Sequence, residues 1–174
     1  MLNELTTAQH LDAIDWDHWQ ATHQATLLLT IKNDKILLIR KKRGLGAGKI
    51  NGPGGKVESG ETILDCIIRE TQEELCITPI DPNFIGESLF QFKDGYSIHV
   101  HTFIATEFKG EPTETDEAYP IWFPLDNIPY DEMWEDDKYW IPLALKGQRF
   151  IGRYLFDDDK MLDYDIKLID ASPE

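Results

Sequence analysis

The sequence predicts an α+β fold. Three observations carry that expectation. Short apolar runs bounded by turn residues recur along the chain, only two segments have the length and spacing of helices, and strands and helices do not alternate in a regular βαβ order. No internal repeat and no linker divides the 174 residues, a length that a single core can serve.

Taken in order, residues 1–24 carry only a weak helical spacing at Leu5, Ala8, Leu11 and Ile14. They read as an extension to which we assign no role, with the domain proper at 25–170. Residues 25–31 and 35–40 are aliphatic runs joined by Asn33-Asp34, the pattern of a hairpin. Residues 44–55, GLGAGKINGPGG, form a loop whose glycines let the backbone come close to a ligand. Residues 62–75 have helical periodicity, with Leu64, Ile67, Ile68, Thr71 and Leu75 as the core stripe, Ser59 as cap, and Asp65 and Arg69 as an outward i, i+4 pair. Strands are expected at 83–92 and 96–108 around an Asp94-Gly95 turn. A second helix is expected over 134–146, shortened or kinked by Pro142. A closing hairpin is expected from 150–156 and 161–169, where Leu162, Tyr164, Ile166 and Leu168 alternate.

Composition excludes several classes of function. Apolar and aromatic residues are too plentiful for a disordered chain. No run of about 18 apolar residues is present, so no membrane span is expected. The N-terminus lacks the basic start and apolar block of a secretory signal. Cys66 and Cys76 are the two cysteines, without a CxxC pairing, which suits a reducing cytoplasm. The net charge of −15 opposes DNA or RNA as the main partner. Against that background Lys41, Lys42, Arg43, Lys49 and Lys56 cluster in and before the glycine-rich segment. That layout fits a small phosphorylated ligand held with a divalent cation.

The most informative stretch is GKVESGETILDCIIRETQEELCI, residues 55–77. Glu70, Glu73 and Glu74 stand at i, i+3 and i+4, on one edge of a helix. Like charges so placed cost a helix a few tenths of a kcal/mol. A bound Mg²⁺, which takes hard oxygen ligands and shares them with phosphates, would give the cluster a use.

The register is Gly55, five residues, Glu61, seven residues, Arg69-Glu70, two residues, Glu73-Glu74. It resembles the signature of the Nudix hydrolases. Two positions depart from it: Thr71 replaces an aliphatic residue, and Cys76 replaces a glycine. Because only glycine ends a helix in the left-handed region without steric cost, Cys76 is expected to end it differently.

The resemblance extends over about residues 26–169 to the branch of that family that hydrolyses oxidised purine nucleoside triphosphates. It rests on KKRGLGAGKINGPGGKVESGET, SLFQF, GEPTETDE, MWEDDKYWIPLAL and MLDYDIKL. It implies the Nudix fold, an α/β/α sandwich with a mixed sheet, and an Mg²⁺-dependent pyrophosphohydrolase that cleans the nucleotide pool, with Mn²⁺ a possible substitute. Other readings are a Nudix hydrolase for a different nucleotide and a non-catalytic binding module.

By the same resemblance, Glu70, Glu73 and Glu74 hold the metal with the Gly54 carbonyl. Glu117 completes the site or acts as general base, and Arg69 and Glu61 brace loop against helix. Lys41 and Lys56 lie near the phosphates. Asn51, Trp134, Asp136 and Asp137 read the base, with Phe90 and Leu45 lining the pocket; Leu45 stands where an aromatic is usual. The implied partner is a small nucleotide handled by a monomer. His99 and His101 share a strand face, but with no third ligand near in sequence the pair reads as strand decoration.

Overall fold

The structure, a computed structural model, describes residues 7–170. Its centre is an eight-stranded mixed sheet. The strands are β1 (His23–Lys32), β2 (Lys35–Lys41), β3 (Ile50–Asn51), β5 (Asn83–Phe92), β6 (Ser97–Ala105), β8 (Ala118–Pro124), β9 (Phe150–Asp157) and β10 (Lys160–Leu168). They run in the order β10-β9-β5-β6-β1-β2-β3, with β8 paired to β2. The pairs β1–β6 and β5–β9 are parallel and the rest antiparallel. A small separate ladder joins β4 (Thr78–Ile80) to β7 (Glu107–Lys109).

Alternation along the strands decides what each face carries. Leu28 of β1 and Phe103 of β6 pack with Ile67 of α1 (Ile63–Leu75), and Leu37 and Ile39 of β2 pack with Leu75 of the same helix. Leu29, Ile36 and Leu38 pack instead in a cluster with Trp140, Ile141 and Ala144 of α2 (Asp137–Leu145). Each helix therefore covers one face of the sheet.

The hairpins form as their turn residues require. Asn33 and Asp34 both take positive φ, 53° and 59°, as a two-residue turn between twisted strands demands. Among the described residues, the N-terminal segment includes a short 3₁₀ turn at Leu11–Ala13. It is fastened to the sheet by Leu11 N donating to Asp163 Oδ2 at 2.8 Å and by Trp19 Nε1 donating to Gln91 Oε1 at 2.8 Å. Leu5 lies outside the described residues.

Several local expectations are corrected. The cap of α1 is Thr62, whose Oγ1 accepts from Asp65 N at 3.0 Å, rather than Ser59. Leu64 is 45% exposed, and Cys66 and Glu74 are buried instead. The inward arc is thus turned away from the purely apolar stripe toward the acidic edge. Asp65 is not the partner of Arg69, which turns to Glu61, Glu70 and Glu73. Helix α2 begins at Asp137, not 134, and runs through Pro142. The strand expected over 96–108 is divided into β6 and β7.

Strand β8 was not foreseen, because the two prolines in AYPIWFP argue against a central strand. It lies at an edge against β2, where proline costs no ladder bond. Cys76 does end α1 in the left-handed region, at φ 61°, contrary to expectation; its N–H is satisfied by Gln72 O at 3.0 Å.

Candidate active site

Helix α1 and the loop before β8 bring three carboxylates together. One oxygen each from Glu70, Glu74 and Glu117 lie within 4.8 Å of one another. Glu74 is buried, and its Oε2 has no hydrogen-bond partner. Burial, then repulsion from Glu70, pushes its carboxyl up to about 8 against the pull of Lys41. Burial likewise raises Glu70 against the pull of Arg69. Converging carboxylates with an unsatisfied buried oxygen suit a hard divalent cation, which supplies the missing countercharge. Glu73 stands outside this group, half-exposed, with Arg69 Nη1 donating to it at 3.2 Å.

The approach of loop to helix depends on two glycines. A Cβ on Gly54 would overlap the Thr26 carbonyl, and one on Gly55 would overlap the Glu70 carboxylate. Arg69 then ties the loop down. Its Nε and Nη2 donate to Glu61 at 2.6 and 2.9 Å, Nη1 donates to Glu70 at 2.9 Å, and Nη2 also donates to Lys56 O at 3.1 Å. Arg69 hydrogen bonds hold the Glu61 carboxyl down at about 2.

Of the basic cluster, Lys42, Arg43 and Lys49 pair with Glu114, Glu117 and Asp159. Lys41 and Lys56 line a cavity of about 310 Å³ that also reaches Gly54 and Glu74. Burial lowers the Lys41 ammonium, and Glu74 partly restores it.

The same cavity is lined by Leu45, Asn51, Phe90, Trp134, Asp136 and Asp137. Trp134 packs edge-on to Phe92 and Phe156, at 6.1 and 5.6 Å between centroids, and Lys49 Nζ lies 5.3 Å from its ring centre. Phe90 stacks on Tyr154 at 4.7 Å. Leu45 is 49% exposed at the rim.

Asp136 and Asp137 are both buried, and Trp140 Nε1 donates to Asp136 Oδ2 at 2.9 Å and Asp137 Oδ1 at 3.1 Å. Burial raises both carboxyls, Asp137 furthest because it also faces Asp136. Asp136 Oδ1 has no partner. One proton shared over such a pair leaves a donor beside an acceptor.

A NUDIX domain model matches residues 21–144. The chain belongs to the Nudix family. It is 42% identical over 148 residues to the oxidized purine nucleoside triphosphate hydrolase of Mus musculus, covering 84% of this chain and 95% of that one. It is 46% identical over 132 residues to the protein of that name from Danio rerio, covering 75% and 85%. Its structure is similar to that of a MutT protein from Bacillus halodurans, with a TM-score of 0.75 and 29% identity, covering 83% of this chain and 97% of that one.

Within this Nudix domain, sequence reasoning missed the polar floor of the cavity. Ser88 and Thr102 line it and are buried, with hydroxyls that have no hydrogen-bond partner. Trp140 was read only as part of a helix, although its indole joins the two acids. Hydroxyls at alternate strand positions, on the face that also carries Phe90 and Val100, were the available signal.

Proposed function

We propose that this Nudix hydrolase converts oxidised purine nucleoside triphosphates of the 8-oxo-dGTP type to the monophosphate and pyrophosphate, with Mg²⁺ at Glu70, Glu74 and Glu117. The observation that carries the reading is one cavity lined both by phosphate-type groups, Lys41, Lys56 and Glu74, and by base-type groups, Asn51, Trp134, Asp136 and Asp137. Bound at the carboxylates, a divalent ion supplies Lewis-acid neutralisation of phosphate charge. Glu73 serves through Arg69, and the Gly54 carbonyl is a further candidate oxygen for the ion.

The chain's own groups do the rest. Lys41 and Lys56 hold the phosphates, and Trp134 offers a flat face to the purine. Asn51 and the acid pair meet its edge with donors and acceptors. Phe90, held by its stack on Tyr154, and Leu45 at the rim close the pocket. Glu117 or a glutamate of α1 accepts the proton of a water that attacks a bridging phosphorus. The bond from that phosphorus to the oxygen bridging the α- and β-phosphates breaks, so the products are the nucleoside monophosphate and pyrophosphate.

The net charge of −15 favours a small nucleotide over a polymer, and free Cys66 and Cys76 suit the cytoplasm. We place the enzyme there as a monomer whose folded unit is residues 25–170, with residues 7–24 leading into it. The relatives named for oxidised purine nucleotides support the substrate class. Pyrophosphate release with Mg²⁺ over a panel of nucleotides tests it. At least about tenfold higher kcat/KM for the oxidised purine than for dGTP is expected, because a pocket rejects an analogue that leaves its buried groups unpaired. Equal efficiency on dGTP, dCTP and the oxidised nucleotide would leave only the family assignment.

A further inference from the structure

Strand β6 exposes different residues on its two faces. Ile98, Val100 and Thr102 line the nucleotide cavity, while His99 and His101 point to the other side. There they meet Glu87 of β5, the third ligand that the sequence did not show. One ligand atom from each of the three lies within 4.8 Å of the others. We propose that Glu87, His99 and His101 form a second metal site, for a transition ion of the Zn²⁺ class, across the sheet from the nucleotide cavity.

The geometry is close to what such an ion needs. With bonds of about 2.0–2.2 Å, tetrahedral ligand atoms stand about 3.3–3.6 Å apart. Glu87 Oε1 is 3.1 Å from His99 Nε2 and 3.7 Å from His101 Nδ1. The two imidazoles stack at 4.2 Å between centroids, so both rings present nitrogen to the same carboxylate.

The tautomer of His101 is also set. Its Nε2 lies 2.7 Å from Gln24 Oε1, and because a carbonyl oxygen only accepts, Nε2 carries the proton. In the neutral ring Nδ1 is then a bare lone pair facing the Glu87 carboxylate, two acceptors with no proton between them. A cation resolves that opposition. A carbonyl that holds the far nitrogen of a ligating histidine is the outer support such sites use.

The two sites differ in chemistry. Glu70, Glu74 and Glu117 offer oxygen alone, which suits Mg²⁺, whereas imidazole nitrogen selects Zn²⁺, Co²⁺ or Ni²⁺. Three protein ligands leave one position to solvent, and the partial exposure of His99 and Glu87 gives the ion an entry path.

The test is calorimetric titration of the full chain with ZnCl₂ under a large excess of Mg²⁺, with Co²⁺ absorption as a second readout. Wild type and Glu74→Gln should each take up one Zn²⁺ at this site and show the visible bands of tetrahedral Co²⁺. His99→Gln and Glu87→Gln should lose at least about tenfold in affinity, and Gln24→Leu, which only frees the outer support, about tenfold or more. All three should keep wild-type Mg²⁺-dependent turnover. Zinc uptake unchanged in His99→Gln and Glu87→Gln, or abolished by Glu74→Gln alone, would overturn the proposal, as would the absence of any uptake by wild type.

Discussion

Arg69 Nε donates to Glu61 Oε2 at 2.6 Å, so the segment that leads from the glycine-rich loop into α1 is fastened to the helix that carries the carboxylates. The clasp is two-pronged, since Nη2 reaches the second Glu61 oxygen at 2.9 Å. Lysine cannot reproduce that fork. Arg69→Lys should therefore lower kcat by tenfold or more with a smaller change in KM, because Glu70 loses the donor that orients it. The clasp also has a pH signature. Glu61 is held at about 2, below its ordinary range, so its contribution is present above that range and is lost as pH falls from ~5 to ~2. Denaturant midpoints of wild type and Glu61→Gln should differ at neutral pH and converge over that window. Parallel curves down to pH ~2 would separate the clasp from stability.

The carboxylates of α1 are not equivalent. Glu70 and Glu74 converge with Glu117, whereas Glu73 is half-exposed and turned to Arg69. Glu74→Gln and Glu70→Gln should each lose most turnover, about 10²-fold or more in kcat, because the lost charge is one the transition state depends on. Glu73→Gln should cost clearly less. Steady-state kinetics with Mg²⁺ decides it: a Glu73 loss equal to that of Glu74 would place all three in direct service.

Sequence pattern alone located these carboxylates, since offsets of three and four residues define a helix edge. It could not tell which of them turn inward, because the rotation of α1 is set by Cys66 and Glu74 packing where an apolar stripe would have placed Leu64. Nor could it find Ser88, Thr102 or Glu87, whose roles come from strand pairing between distant segments. Strand β8 was hidden for a related reason. Its prolines are unfavourable for a strand in general and harmless at the edge it occupies.

Cys76 stands in the left-handed region at φ 61° and is exposed, so its side chain gives little packing in return for the strain. Cys76→Gly should stabilise the fold by about 0.5–1 kcal/mol, the relief of the Cβ contact less the extra freedom of glycine in the unfolded chain. Chemical denaturation of the two proteins under reducing conditions measures the difference. A destabilised glycine variant would mean that the thiol makes up for the strain.

The Asp136–Asp137 pair makes the most specific prediction. Both acids are buried around the Trp140 indole, and both are raised by burial, so the folded chain keeps a proton that the unfolded chain has given up above pH ~4. The sign follows. The stability due to this proton is fully present below the ordinary carboxylate range and is lost as pH rises through the raised values, from about 6 for Asp136 upward. The slope is about 1.4 kcal/mol per pH unit per retained proton. Asp137→Asn, which fixes a neutral group at the site, should flatten that slope.

The two asparagine variants should also differ on substrates. An asparagine amide offers a permanent donor where the native pair can move its proton and present either arrangement to a base edge. Asp136→Asn and Asp137→Asn should each cost at least about tenfold in kcat/KM, by factors that differ between oxidised and normal purine triphosphates. Kinetics of both variants on at least two oxidised purines and dGTP checks this. Equal losses on every nucleotide, or none, would show that the pair supports the cavity wall and does not read the base.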